Sequence, residues 1–276
     1  MFVSFPQMPD KLTATEQEIV EYITGHRDEF LYMTIGQLSA ALDVSEATIS
    51  RFARHVGCCD FKHLKRVVIE QTVQKGPAQK LTNTLQMRRE DFLNDWMEQQ
   101  QYNLQKTLEL LDQDEFSRAV KAIRGAHRVF LYAKNASRAP AQLLEFRLGR
   151  IGIDVRRIPS GGSELLESLS SMCADDLVIL FGFSKVSAEG RVILNYQKRA
   201  GFKTILFTSR VYHDEKHRAD INLFVYRGEE SEYHSMSAPI AVVDALVLAL
   251  SAQMGTAAVD RLEAIRKMKI EYGKQL

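Results

Sequence analysis

The pattern of apolar positions changes character twice along the chain. Between residues 12 and 73 apolar side chains recur at three- and four-residue intervals, as at Leu12, Ile19, Ile23 and Phe30, with no strand-like run, so this stretch is read as all α-helical. Lys75-Gly76-Pro77 then punctuates the chain, because proline cannot continue a helix and disfavours the helical conformation in the residue before it. From 78 to 124 the pattern is helical again but more polar, with Leu81, Leu85, Phe92, Trp96, Leu104, Leu108 and Leu111 forming a broken apolar stripe.

Beyond residue 125 short apolar runs take over: His127 to Ala133, Asp154 to Ile158, Leu177 to Phe183, Lys203 to Ser209 and Ile221 to Arg227. Amphipathic segments of helical length separate them, and strands alternating with helices imply a parallel sheet covered on both faces. The expected fold is therefore an all-α N-terminal domain (1–76), a helical linker with a role in dimerisation (77–124), and an α/β C-terminal domain (125–276). The most apolar stretch, residues 238 to 250, carries Asp244 and is too short to span a bilayer, so it is read as a buried helix with no membrane partner.

Composition adds a constraint. The formal net charge of the 276 residues is +1, so any contact with nucleic acid must come from a local basic patch. Cys58, Cys59 and Cys173 are too few and too awkwardly spaced for a disulfide framework, and the opening Met-Phe-Val-Ser-Phe-Pro has neither the charged start nor the apolar core of a signal peptide. Both point to the cytoplasm.

The patch lies in the first domain. Thr34 to Phe52 has the spacing of a helix-turn-helix: small Ser39 and Ala40 let two helices approach, Asp43 stands where the turn requires a residue tolerant of the left-handed region, and Ser45 is placed to cap the second helix. Ile49, Phe52 and Ala53 mark the buried face of that helix. Glu46, Ala47, Thr48, Ser50, Arg51 and Arg54 avoid it and are the candidates to enter a major groove, the Thr48 methyl against thymine and Arg51 bidentate on guanine. Charge switches sign here, with two basic against eight acidic residues in 1–46 and six basic against two acidic in 47–76. Thr34, Ser45, Lys62 and Lys65 complete the candidate DNA-facing set, and Arg66 is a further phosphate candidate.

These residues resemble the RpiR family of bacterial regulators, which join a helix-turn-helix to a sugar-isomerase (SIS) domain. The match runs from Leu12-Thr13-Ala14-Thr15-Glu16 through Val44 to Phe52, then Gly57 and Phe61-Lys62-His63-Leu64-Lys65; in the second half Val129 to Leu148, Asp175 to Ile179 and Val243-Asp244-Ala245-Leu246 look like the SIS core. The resemblance implies a five-stranded, flavodoxin-like doubly wound parallel sheet with a phosphosugar or related small anion beyond the carboxyl ends of its strands. It also implies a double-stranded operator as partner and a homodimer or dimer of dimers.

In the family the loop after the first strand reads Gly-x-Gly-x-Ser, where this chain has Ala133, Asn135 and Ser137. The loop after the third reads Ser-x-Ser-Gly-x-Thr, where it has Gly182, Ser184, Lys185 and Ser187, followed by Glu189. Lys134 and Lys185 offer charge where glycine or hydroxyl donors are absent. The expected ligand-binding set is Lys134, Asn135, Ser137, Ser184, Lys185, Ser187, Glu189 and Thr208.

Three other readings stand beside the sensor. The SIS domain could serve dimerisation alone. It could isomerise a phosphosugar, although Glu145, Glu189 and His234 sit in no motif that singles out a base, and no catalytic residue is assigned. Finally, His55, Cys58, Cys59 and His63 could hold zinc, but adjacent cysteines chelate poorly beside a Cys-x-x-Cys spacing, and a connecting turn with semi-buried thiols is preferred. No metal or cofactor is expected.

Overall fold

The computed structural model describes residues 5–7, 9, 11–30, 32–73, 76–86, 91–210, 218–273 and 275. Met1 to Ser4 of the leader reading and Lys75 of the boundary reading lie outside them. The chain divides into two compact units, Met1–Arg88 with Glu230–Tyr233, and Arg89–Glu229 with His234–Leu276.

The first unit contains α1 (Ala14–Gly25), α2 (Arg27–Phe30), α3 (Ile35–Leu42), α4 (Glu46–His55), α5 (Phe61–Val73) and α6 (Pro77–Gln86). Helix α1 starts where Thr13 and Glu16 cap each other reciprocally: the Thr13 hydroxyl accepts from the Glu16 amide and the Glu16 carboxylate accepts from the Thr13 amide. Ile19, Ile23, Phe30, Leu38, Ile49, Phe52, Leu64 and Val68 share one core, which is the helical periodicity of the sequence made physical. Phe5 meets Phe52, and Phe30 meets Phe61, edge to face with ring centroids 5.7 Å apart. Gly57 closes α4 at φ 81°, and a side chain there would strike Gln7, whose amide donates to the Val56 carbonyl.

The second unit opens with α7 (Phe92–Leu110) and α8 (Gln113–Gly125). Then follow β1 (Val129–Ala133), α9 (Arg138–Arg150), β2 (Val155–Arg157), α10 (Gly162–Ser170), β3 (Leu177–Phe181), α11 (Ala188–Ala200), β4 (Lys203–Thr208), β5 (Ile221–Phe224), α12 (Ser237–Met254) and α13 (Thr256–Tyr272). The five strands are parallel, in the order β2-β1-β3-β4-β5. Alternate residues feed two cores. Val129, Leu131, Ile179, Ile205 and Phe207 pack on the face covered by α8, α9 and α12; Phe130, Tyr132, Val178, Leu180 and Leu206 pack on the face covered by α10 and α11.

Helix α12 contains the apolar stretch 238 to 250 and is long and apolar enough to cross a membrane by length and composition alone. Here Val242, Val243, Leu246 and Leu250 bury it against the sheet, and Asp244 pairs with Arg147 of α9 at 3.4 Å. At the amino edge of the sheet Arg128, just before β1, makes a bidentate pair with Asp176, just before β3, at 2.9 and 2.6 Å. Burial works to raise the Asp176 pKa. Hydrogen bonds from Arg128 and from the Cys173 amide outweigh it and hold the carboxyl at about 2.

Two apolar runs outlast their strands. β3 stops at Phe181 and β5 at Phe224, although the runs continue to Phe183 and Arg227. Phe183 and Val225 are still buried in the core, so apolarity persists where ladder pairing has ended. That turns Gly182 to Ser187 and Val225 to Arg227 into loops at the carboxyl edge.

Candidate functional site

In the first unit the helix-turn-helix is closed by contacts between near neighbours. Thr34 caps α3, its hydroxyl accepting from the Gln37 amide at 3.2 Å while the Gln37 side chain accepts from the Thr34 amide at 2.8 Å. Asp43 ends α3 in the left-handed region at φ 52°, ψ 42°. The Ser39 hydroxyl then donates to the Val44 carbonyl, tying the turn to the helix it leaves. Ser45 caps α4 by accepting from the Thr48 amide at 3.1 Å, and its hydroxyl also lies 2.8 Å from that of Thr48.

Ile49, Phe52 and Ala53 are buried, while Glu46, Ala47, Arg51 and Arg54 are exposed and Thr48 and Ser50 are half-buried. Arg51 lies along α4 with Nε donating to the Ala47 carbonyl at 3.3 Å. The Glu46 carboxylate rests against Gly36, where an added Cβ would stand 2.9 Å from Oε1, at the positive end of α3. On α5 Lys62 is exposed, whereas the Lys65 amine donates to the Met33 carbonyl at 2.9 Å. Of the four donors considered for zinc, His55 Nδ1 is 2.6 Å from the Glu16 carboxylate, His63 Nδ1 accepts from the Cys59 amide at 3.0 Å, and the Cys58 thiol is buried while that of Cys59 is exposed.

In the second unit the strand order reverses between β1 and β3, and the loops leaving those two strands diverge there. They enclose a cavity of about 340 Å³ at the carboxyl edge. Lys134, Asn135, Ser137, Ser184, Lys185 and Ser187 reach its wall. Glu189 stands behind it, joined to Lys134 at 2.8 Å; that hydrogen bond, then one from the residue's own amide, holds its carboxyl at about 2. Thr208 does not reach the wall, because its hydroxyl turns back to the Arg210 amide and carbonyl as β4 ends.

The wall also holds Gly182 of the loop after β3 and residues that sequence reasoning passed over: Tyr132, Phe183, Arg227 and Met236. The Tyr132 hydroxyl is 3.0 Å from Ser187 and donates to Glu189 at 3.3 Å, and burial pushes it up to about 12. Arg227 Nε donates to the Ser209 hydroxyl and Nη2 to the Ser184 hydroxyl, with the Phe183 ring 4.4 Å beneath the guanidinium. Burial pulls its pKa down to about 10. Tyr132 was hidden inside a strand and Arg227 at the end of an apolar run; an arginine closing such a run was the one signal available.

A capped helix-turn-helix in one unit and a 2-1-3-4-5 parallel sheet with a switch-point cavity in the other define a DNA-binding regulator that carries a sugar-isomerase-type domain. The comparisons agree. Residues 4–75 match the helix-turn-helix domain of the rpiR family and residues 122–249 match the SIS domain. The chain belongs to the RpiR family, with its helix-turn-helix plus SIS architecture.

Among relatives, the uncharacterized HTH-type transcriptional regulator TTE0211 of Caldanaerobacter subterraneus subsp. tengcongensis is 27% identical, over 88% of this chain and 87% of its own. The uncharacterized HTH-type transcriptional regulator YbbH of Bacillus subtilis is 25% identical over 96% of each. Of solved structures, the sugar isomerase domain of an RpiR transcription factor from Sphaerobacter thermophilus superposes with a TM-score of 0.60 at 23% identity, covering 64% of this chain and 99% of that one. The Vibrio vulnificus NanR protein complexed with ManNAc-6P superposes with a TM-score of 0.58 at 19% identity over 95% of each. At these identities the two structures establish the shared fold.

Proposed function

We propose that this regulator acts in the cytoplasm on a sugar or carbohydrate catabolic operon, and that a phosphosugar or similar anion in the SIS cavity sets its affinity for a double-stranded operator. The observation that carries the reading is the cavity itself, at the strand-order reversal, walled by hydroxyls and cations. That the solved NanR protein holds ManNAc-6P supports the choice of ligand class. Ligand and operator are coupled to the extent that the ligand binds one DNA-affinity state better than the other, typically by 1–3 kcal/mol.

The SIS unit is read as a sensor and not an isomerase on chemical grounds. A general base works best with a pKa near the operating pH, and Glu189 is paired with Lys134 and held at about 2. Glu145 pairs with Arg157, and His234 Nε2 lies 3.1 Å from the Glu229 carbonyl. Assembly as a homodimer is supported by apolar side chains left exposed on α7 (Phe92, Leu93, Met97 and Leu108) and on α13 (Val259, Met268 and Ile270).

In this reading the exposed face of α4 enters the major groove, Arg51 reads a base, and Arg54 and Lys62 contact phosphates. Genomic footprinting should yield one preferred operator. Arg51→Ala should weaken it by about 10- to 100-fold in fluorescence anisotropy, the loss of one bidentate base contact. Equal binding by Arg51→Ala and the wild type would remove Arg51 from the base-reading role. Indifference of operator affinity to a series of sugar phosphates and sugar acids would remove the sensor.

A further inference from the structure

The SIS cavity contains an electrostatic imbalance. Arg227 is only 5% exposed, yet among the described residues none of its contacts is with a carboxylate: Nε goes to Ser209 at 3.1 Å, Nη2 to Ser184 at 3.0 Å and to the edge of His234 at 3.5 Å. Among the described residues no acceptor meets Nη1. The group remains protonated at neutral pH, so a full positive charge sits buried beside the cavity with no carboxylate meeting it among the described residues. Burying a charge without a counter-charge is costly, and folded proteins ordinarily retain one only where something offsets it.

The cavity's own acid does not offset it. Glu189 is committed to Lys134 and Tyr132, which accounts for both charges of that pair on the far side of the switch point. Arg227 is meanwhile held rigidly in aim: Phe183 lies under its face, and the preceding residue is fixed where the Tyr226 amide donates to Thr107 of α7 at 3.0 Å. Beside it the first position of the loop after β3 is Gly182, which has no hydroxyl to offer an anion, while Ser184 and Ser209 lie along the Nε–Nη2 edge of the guanidinium.

We propose that Arg227 receives the oxyanion of the ligand, phosphate or carboxylate, with Ser184 beside it, and that the protein without ligand tolerates a buried, uncompensated charge in order to do so. This rests on the sensor reading above and names the group that seats the anion. A fixed, planar guanidinium whose Nη1 meets no acceptor among the described residues is suited to either oxyanion. The polyhydroxylated remainder of the ligand then extends towards Asn135, Ser137 and Tyr132.

The test is a thermal-shift and calorimetric titration of wild type, Arg227→Met and Arg227→Lys with glucose 6-phosphate, N-acetylmannosamine 6-phosphate, gluconate and inorganic phosphate. At least one sugar anion should raise the wild-type Tm, and Arg227→Met should bind it at least tenfold more weakly. The sugar phosphates against gluconate decide which oxyanion is read.

Without ligand, Arg227→Met should melt a few degrees above wild type, because the unpaired charge is gone and Ser209 keeps its bond to the Val225 carbonyl. A merely structural tie would melt lower. Undiminished binding by Arg227→Met overturns the proposal and leaves the sensor standing, whereas failure of every probe on wild type brings down both. If Arg227→Met does not fold, nitrogen NMR of the wild-type guanidinium decides: the Nε resonance, assigned by its loss in Arg227→Lys, must move on titration, and a stationary signal refutes the assignment.

Discussion

The turn that presents α4 and the cavity at the sheet edge are held together by different kinds of contact. In the first unit the decisive hydrogen bonds join residues three to five apart: Thr34 with Gln37, Ser39 with Val44 and Ser45 with Thr48. In the second they span the chain, with Tyr132 and Ser187 separated by 55 positions, Lys134 and Glu189 by 55, and Arg227 and Ser184 by 43. A site of the first kind is assembled by caps and turn geometry, each contributing about 1 kcal/mol. One of the second kind exists only once a sheet has brought distant loops to one edge, so its integrity depends on what fastens the strands.

The largest expected effect follows from that dependence. Asp176 is 1% exposed and its bidentate pair with Arg128 fastens the start of β3 to the start of β1. Asp176→Asn leaves Arg128 without its counter-charge and should cost about 3–5 kcal/mol in urea unfolding. The same pair sets a pH dependence. Its carboxyl titrates at about 2 instead of the ordinary 3.8, so the stabilisation is complete above pH 4 and is lost as pH falls from there through 2. That is worth about 2 kcal/mol, and the acid limb should flatten in Asp176→Asn. A cost below 1 kcal/mol would erase the contrast between the two units, since a distant clamp would then matter no more than a cap.

A smaller loss is expected from the local contacts. Ser45→Ala removes the hydroxyl that accepts from the Thr48 amide and should lower stability by about 1 kcal/mol, with Thr34→Ala similar. Hydrogen exchange should place the change in α3 and α4 and leave the five strands as protected as before. Loss of protection in β1 or β3 would contradict the separation drawn here.

The same contrast explains what could be read from the chain. Asp43 in the left-handed region, Ser45 as cap and Ile49 and Phe52 as core follow from rules that act over a few residues, and the structure has each of them. The parallel sheet was also legible, because strands buried on both faces are written as continuous apolar runs. The wall of the cavity was legible only in its loops. Arg227 looked like the end of a strand, and nothing within a few positions shows that Ser184 and Ser209 will meet it. Lys134 and Glu189 were both singled out as ligand contacts, yet they bind each other, a pairing that only the register of β1 against β3 creates.

The smallest effect tests the turn itself. Asp43 adopts φ 52°, where a Cβ crowds the following carbonyl, a strain of about 1–2 kcal/mol for most residues and less for aspartate. Glycine has no such crowding but loses about 0.5–1 kcal/mol more conformational entropy on folding. The two nearly cancel, so Asp43→Gly should stabilise the unit by only about 0.5 kcal/mol, and Asp43→Asn, which keeps the Cβ and tolerates the same conformation, should change little. If glycine instead destabilises by more than about 1 kcal/mol while asparagine does not, a side-chain contact at position 43 is holding the turn. If both destabilise equally, the negative charge is doing so, and the turn is not set by backbone preference alone.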